Sequence, residues 1–264
     1  MSETGLDSLY ITRWGSEGTT VVMIHGSAQG SPFGGADHFS AQEALARRGW
    51  RIVAPDRPGH GKSPAPGRPD DVDLDAEWVT KLLGESAHLV GHSLGGAIAF
   101  AAAARRPEAV RSLTFIEPAL LMLALDKPAV QAFVTKQIAL FSSGRPANEI
   151  AAEFAKMVGV PEEMQRTRVD PRSMAGLGAG LTQIRFPAPH TLKEYGETIA
   201  RAQLPVLVVS GGSNPAFEAT CDAVASLTSG RRCIISSPHH FPNLVSDEFN
   251  NTLHDFMSEA DRRR

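Results

Sequence analysis

Cysteine is nearly absent from this chain: among 264 residues only Cys221 and Cys233 occur. Two, twelve residues apart, supply neither a zinc cluster nor a disulfide framework, so a reducing compartment is expected. Positive charge is not in excess, since 26 Lys and Arg face 29 Asp and Glu for a formal net charge of -3. With a pI near 6.3, no basic surface makes nucleic acid a natural partner. The run Arg262 to Arg264 reads as a frayed, solvated tail. Long apolar runs are missing too, and Met1 to Leu9 is polar and carries Glu3 and Asp7. Neither a membrane span nor a signal peptide is expected, and the reading is a cytoplasmic protein without a membrane partner. What is present, 42% hydrophobic residues in a chain of this length, suits a soluble core in one large domain or two small ones.

Short apolar runs alternate with helical patterns. Leu9 to Trp14 fits an edge strand, and Thr19 to Ile24, Arg51 to Ala54, His88 to Val90 and Val110 to Ile116 fit buried strands. Helices are predicted over about Asp37 to Arg48 and Asp70 to Gly84. Such alternation with short connections argues for a parallel sheet covered on both faces. After Glu117 the alternation stops for about eighty residues, too many for a structureless loop in a compact domain. Helices at roughly Ala129 to Phe141, Ala147 to Val158, Glu162 to Arg166 and Leu192 to Ala202 suggest an inserted helical cap spanning 118–202. The core is then 1–117 and 203–264. It resumes with a strand at Leu204 to Val209, a helix at Ala216 to Leu227, a strand at Arg232 to Ile235 and a closing helix from Asn243 to Ser258.

The stretch Gly91-His92-Ser93-Leu94-Gly95-Gly96 lies between a strand signal and the alanine-rich run Ala97 to Arg105. As a bare G-x-S-x-G pattern it is only a glycine-rich turn. Between strand and helix it fits a nucleophile elbow, in which a sharp turn presents the serine hydroxyl and leaves no room for side chains two residues either side. A serine hydroxyl needs a base within hydrogen-bond reach, and that base needs an orienting group. Of nine histidines, His240 is the candidate base and His239 the alternative, because both follow the last strand. In a parallel sheet, the loops after the strands converge on the ligand-binding edge. His25 and His60 could frame a cleft, His92 should point away from the serine, His88 should pack within its strand, and His38, His190 and His254 have no motif beside them.

Taken together, His25-Gly26 after a strand, Asp56-Arg57-Pro58-Gly59-His60-Gly61-Lys62-Ser63, the elbow and His240-Phe241-Pro242 resemble a capped α/β-hydrolase over almost the whole chain. The resemblance implies a mainly parallel eight-stranded sheet flanked by helices, an inserted lid, and the order nucleophile, acid, histidine. It also implies an oxyanion hole from the backbone N–H groups of Ser27 and Leu94. Where members of the family commonly carry the acid, this chain has Asn214, in Ser210-Gly211-Gly212-Ser213-Asn214-Pro215. Other members place it after the strand that follows the elbow helix, where Glu117 stands, and Glu117 is favoured over an ordinary loop-starting residue. Glu218 and Asp222 are weaker candidates.

The expected activity is a cofactor-independent serine esterase or lactonase acting through an acyl-enzyme on a small, largely apolar substrate, with Ser93, His240 and Glu117 as catalytic triad. Alternatives within the fold are a hydrophobic-ring lactonase, a C–C bond hydrolase and a perhydrolase; one of another class is a small-molecule receptor with a vestigial triad. Met122, Phe133, Met157 and Phe186 are candidate pocket residues, beside Met164, Met174 and Phe154, although each could equally build the cap's own core. Asp71-Val72-Asp73-Leu74-Asp75 lacks the glycine and closing glutamate of a calcium loop and suits a helix N-terminus better. Gly176-Leu177-Gly178-Ala179-Gly180 lacks the context of a dinucleotide fingerprint and reads as a flexible or closely packed cap segment. No metal is expected.

Overall fold

The structure is a computed structural model and describes residues 8–160, 171–245 and 247–263. Seven strands, β1 (Ile11–Trp14), β2 (Thr20–Ile24), β3 (Arg51–Pro55), β4 (Ala87–His92), β5 (Val110–Ile116), β6 (Val206–Ser210) and β7 (Arg231–Ile234), form one sheet in the order β1-β3-β2-β4-β5-β6-β7. Only β1 runs antiparallel, against β3. The resemblance implies eight strands; among the described residues the sheet has seven.

The central strands are continuous apolar runs because both faces of the sheet are covered. Val21, Val22, Met23 and Ile24 are all fully buried. On one face pack α1 (Val72–Leu82), α2 (Leu94–Arg105), α6 (Pro189–Arg201) and α7 (Pro215–Thr228), contributing Val79, Phe100, Ile199 and Val224. On the other lie Phe39, Leu45 and Trp50 with Phe249, Leu253 and Met257 of α8 (Asp247–Arg262). Asp71 caps α1, its carboxylate accepting from the N–H groups of Asp73 and Leu74, which is the helix-start role the acidic run suggested. The helix expected over Asp37 to Arg48 is instead a single α-turn, Gly35–His38, followed by a 3₁₀ segment, Ser40–Arg48. Phe39 between them leaves helical geometry at φ -120° and ψ 23° and buries its ring completely.

Between β5 and β6 the described chain contains α3 (Pro128–Phe141), α4 (Ala147–Met157), α5 (Pro171–Leu181) and α6; the helix expected at Glu162 to Arg166, with Met164, lies outside the described residues. Helix α6 packs with the core rather than over it: Leu192 and Ile199 join the main cluster, and Tyr195 donates to Asp73 Oδ1 at 2.6 Å. Helices α3, α4 and α5 supply most of the residues from this segment that line the cavity with Ser93, and α6 supplies Leu192. The glycine stretch 176–180 is closely packed helix. A Cβ on Gly180 would sit 2.3 Å from the carbonyl oxygen of Gln29, and one on Gly30 would sit 2.4 Å from Gly176. Among the described residues no helix is long and apolar enough to cross a membrane.

Candidate active site

Parallel strands bring their C-terminal ends to one edge, and the register pairs Ile24 with Gly91, His92 with Ile116 and Ile116 with Val209. Residues just beyond these ends are consequently neighbours: Ser27 after β2, Ser93 after β4, Glu117 after β5. His240 arrives from beyond β7. Ser93 sits between β4 and α2 with φ 53° and ψ -122°, a conformation that costs on the order of 1–3 kcal/mol for a residue with a side chain. Gly95 is required there, since a Cβ on it would lie 2.1 Å from the carbonyl oxygen of Ile24. Ser27 and Glu117 also have positive φ, 72° and 40°. Three of the five described non-glycine residues in this region are therefore candidate site residues, as expected where strain is retained for function.

Glu117 is 1% exposed and divides its carboxylate between two donors. Oε2 lies 2.5 Å from His240 Nδ1, and Oε1 accepts from the N–H of Gly211 at 2.8 Å. With the proton held on Nδ1, the lone pair of His240 is on Nε2, which is enclosed and without a hydrogen-bond partner. Ser93 and His240 line the same cavity. Asn214 stands apart from this pair: it caps α7 by accepting from Ala216 N–H at 3.1 Å and donates to Met157 O at 3.2 Å. Glu218 is engaged by Ser210, Gly212 and Arg232, and Asp222 by Arg232. His239 turns to Ser237, 3.2 Å from its hydroxyl.

The cavity has two apolar lobes that meet at Ser27, Ser93, Phe154, Val158 and Leu181. The smaller, about 140 Å³, is walled by Phe33, Met174, Leu177, Phe241 and Leu244 with Asp37, His38 and His240. The larger, about 340 Å³, takes in Leu94, Met122, Phe133, Phe141, Phe186 and Phe217. Of the expected pocket residues, Met122, Phe133 and Phe186 line it, with Met122 and Phe186 at its exposed rim. Met157 lines neither lobe; it packs into the cluster formed by Phe133, Val158 and Phe217. Phe154 and Met174, named beside them, line the cavity as well; Leu181, Phe217 and Phe241 were not singled out, although Phe241 adjoins His240 and Leu177 and Leu181 have the i, i+4 spacing of one helix face.

His25, His38, His60 and His92 form a cluster of buried rings beside the site. His25 and His60 do not frame the cleft: His25 donates from Nδ1 to Gly26 O at 2.8 Å and accepts the Arg57 N–H on Nε2 at 2.9 Å, and His60 bonds Pro58 O. His92 donates from Nε2 to the carbonyl oxygen of His240 at 2.7 Å, and its ring centroid lies 4.8 Å from that of His240. Burial holds His25, His60 and His92 well below the usual imidazole range, with neighbouring histidines or Arg57 adding to it. His88 packs against Ser112. Arg57, fully buried, donates to the carbonyls of Gly26 and Ser27, each at 3.2 Å, and pairs with Asp70. The Asp56 to Ser63 loop thereby fixes the backbone around Ser27. Burial raises the Asp70 carboxyl, and Arg57 opposes that shift.

A strained serine at a strand–helix turn, facing a buried carboxylate–histidine pair at the edge of a parallel sheet, marks the α/β-hydrolase class. The family model for the alpha/beta hydrolase fold matches residues 19–247, and the chain belongs to this family. It is 30% identical over 222 residues to the dihydrolipoyllysine-residue acetyltransferase component of the acetoin cleaving system of Pseudomonas putida, covering 80% of this chain and 57% of that protein. The chain thus spans little more than half of that relative's length. It is 28% identical over 207 residues to a pimeloyl-(acyl-carrier protein) methyl ester esterase of Neisseria meningitidis serogroup C, covering 74% of this chain and 75% of the esterase. Among solved structures, an N-acyl homoserine lactonase complexed with N-butanoyl homoserine superposes with a TM-score of 0.70 at 23% identity, covering 96% of this chain and 93% of the lactonase.

Proposed function

We propose that this protein is a serine hydrolase that cleaves a carboxylic ester or lactone through an acyl-enzyme. The observation that carries the reading is the 2.5 Å contact of Glu117 with His240 Nδ1, which leaves Nε2 without a partner in a cavity that Ser93 also lines. Ser93 Oγ attacks the substrate carbonyl while His240 Nε2 takes its proton. The same imidazolium protonates the leaving alcohol, and His240 then activates water to release the acid. Glu117 holds the Nδ1–H tautomer and stabilises the imidazolium. The N–H groups of Ser27 and Leu94 stabilise the oxyanion, an effect worth about 3–4 kcal/mol per donor in comparable sites. The reading involves no cofactor. The apolar walls favour an apolar substrate of small to medium size, and α3, α4 and α5 act as the cap that encloses it.

A fluorophosphonate probe and a panel of nitrophenyl esters and lactones test this together. Stoichiometric labelling and turnover of at least one panel member are expected, both lost in Ser93→Ala while the protein stays folded. Turnover surviving the removal of the Ser93 hydroxyl rules the mechanism out.

A further inference from the structure

The wall of the smaller lobe is apolar except for Ser27, Asp37, His38, Ser93 and His240. His38 is 8% exposed. Its ring stacks on His25 with centroids 4.9 Å apart, and its Nδ1 lies 3.0 Å from the carbonyl oxygen of Gly34. A carbonyl only accepts, so Nδ1 carries the proton and Nε2 carries a lone pair. Burial lowers this imidazole to about 4, so it is neutral near pH 7. No described residue donates to Nε2. Unlike the Nε2 atoms of His60 and His240, it is not sealed off by protein atoms. An acceptor held rigidly in an apolar wall is costly unless a donor reaches it. Asp37 beside it already accepts from the N–H of Gly34 at 3.1 Å.

We propose that His38 Nε2 is a specificity-determining acceptor, so that the preferred substrate carries a neutral donor, a hydroxyl or amide N–H, on the part occupying the lobe between Phe33, Leu177 and Phe241. The inference rests on the hydrolase reading and narrows its substrate class from apolar to apolar with one donor. Substrate isosteres lacking that donor leave the acceptor unpaired, and discrimination against them arises from that loss rather than from shape.

The test pairs 4-nitrophenyl hexanoate with its 3- and 6-hydroxy derivatives, whose hydroxyls do not readily close a lactone onto the activated ester. At least one hydroxy ester is expected to exceed hexanoate in kcat/KM by about tenfold or more. His38→Asn, whose amide still reaches Gly34 O but not the position of Nε2, brings that ratio near one, and His38→Gln, which restores an acceptor farther out, recovers much of it. A second readout is independent of turnover and of those variants' folding. In Ser93→Ala, methyl hydroxyhexanoates move the ¹⁵N resonance of His38 Nε2 and methyl hexanoate does not. Equal kcat/KM across the series, a ratio that survives His38→Asn, or an unmoved resonance overturns the proposal. Tighter binding of the matching amino ester overturns the neutral donor. Absence of hydrolysis for every ester, with the resonance still responding, strikes the hydrolase reading and leaves the acceptor standing.

Discussion

Glu117 and His240 lie 123 positions apart in the chain, yet the carboxylate of one is 2.5 Å from the imidazole of the other. Replacing Glu117 by Gln should therefore lower kcat by about 10³–10⁴-fold with little change in KM, the scale seen when a triad carboxylate becomes an amide and the wrong histidine tautomer is favoured. Steady-state kinetics on one nitrophenyl ester checks it, and a near-normal kcat would remove Glu117 from the mechanism. Asn214→Asp should not rescue that variant, because the Asn214 side chain is turned to Ala216 and Met157.

Gly180→Ala offers a case where intrinsic preference and packing oppose each other. In a free helix the change stabilises by about 0.5–1 kcal/mol. Here the new methyl would lie 2.3 Å from Gln29 O, so the helix and the loop leading from Ser27 must part. A lowered melting temperature and a reduced kcat are expected together; a raised melting temperature would show that the seam yields freely.

The buried histidines set the response to acid. His25, His38, His60 and His92 are all depressed, chiefly by burial, His38 to about 4. The unfolded chain therefore binds more protons than the folded one below about pH 6.5, so stability falls as pH drops from there towards 4. With up to four protons taken up, the slope approaches roughly 5 kcal/mol per pH unit at its steepest. Urea midpoints measured between pH 7.5 and 5 report this directly. A flat profile down to pH 5 would mean that these imidazoles are charged in the native protein.

Dianionic esters should be poor substrates. Among the described residues the walls of both lobes contain no lysine or arginine, and an unpaired charge loses its hydration on entry. A kcat/KM series from neutral to dianionic acyl groups should fall steadily, and a preference for the dianion would require a cationic group at the site.

Much of this architecture could be read from the sequence, because parallel strands buried on both faces announce themselves as unbroken apolar runs such as Val21 to Ile24. Ser93 was legible for a similar reason: the turn needs Gly91 and Gly95, and glycines at fixed offsets survive in the sequence. The 3₁₀ segment after Phe39 was hidden, since it is held by tertiary contacts that the local pattern does not reveal, Gln42 donating to Asn243 O and Asn250 Oδ1 across about 200 residues. The cavity walls were half legible. Methionine and phenylalanine marked the right segment, but Met157 and Phe154, neighbours on one face of α4, both pack on the Phe133 cluster and only Phe154 reaches the cavity. His38 was passed over because nothing beside it in sequence reveals that its turn ends at the cavity.

The bond from His92 Nε2 to the carbonyl oxygen of His240 joins the residue before Ser93 to the backbone of the proposed base. Two loops that the fold could have let drift separately are pinned to each other one residue away from Ser93. Ser93 and the His240 imidazole are thus expected to keep their relative position when the sheet edge moves. Transplanting either loop alone into a related scaffold would therefore forfeit the alignment, whereas moving both together carries it intact.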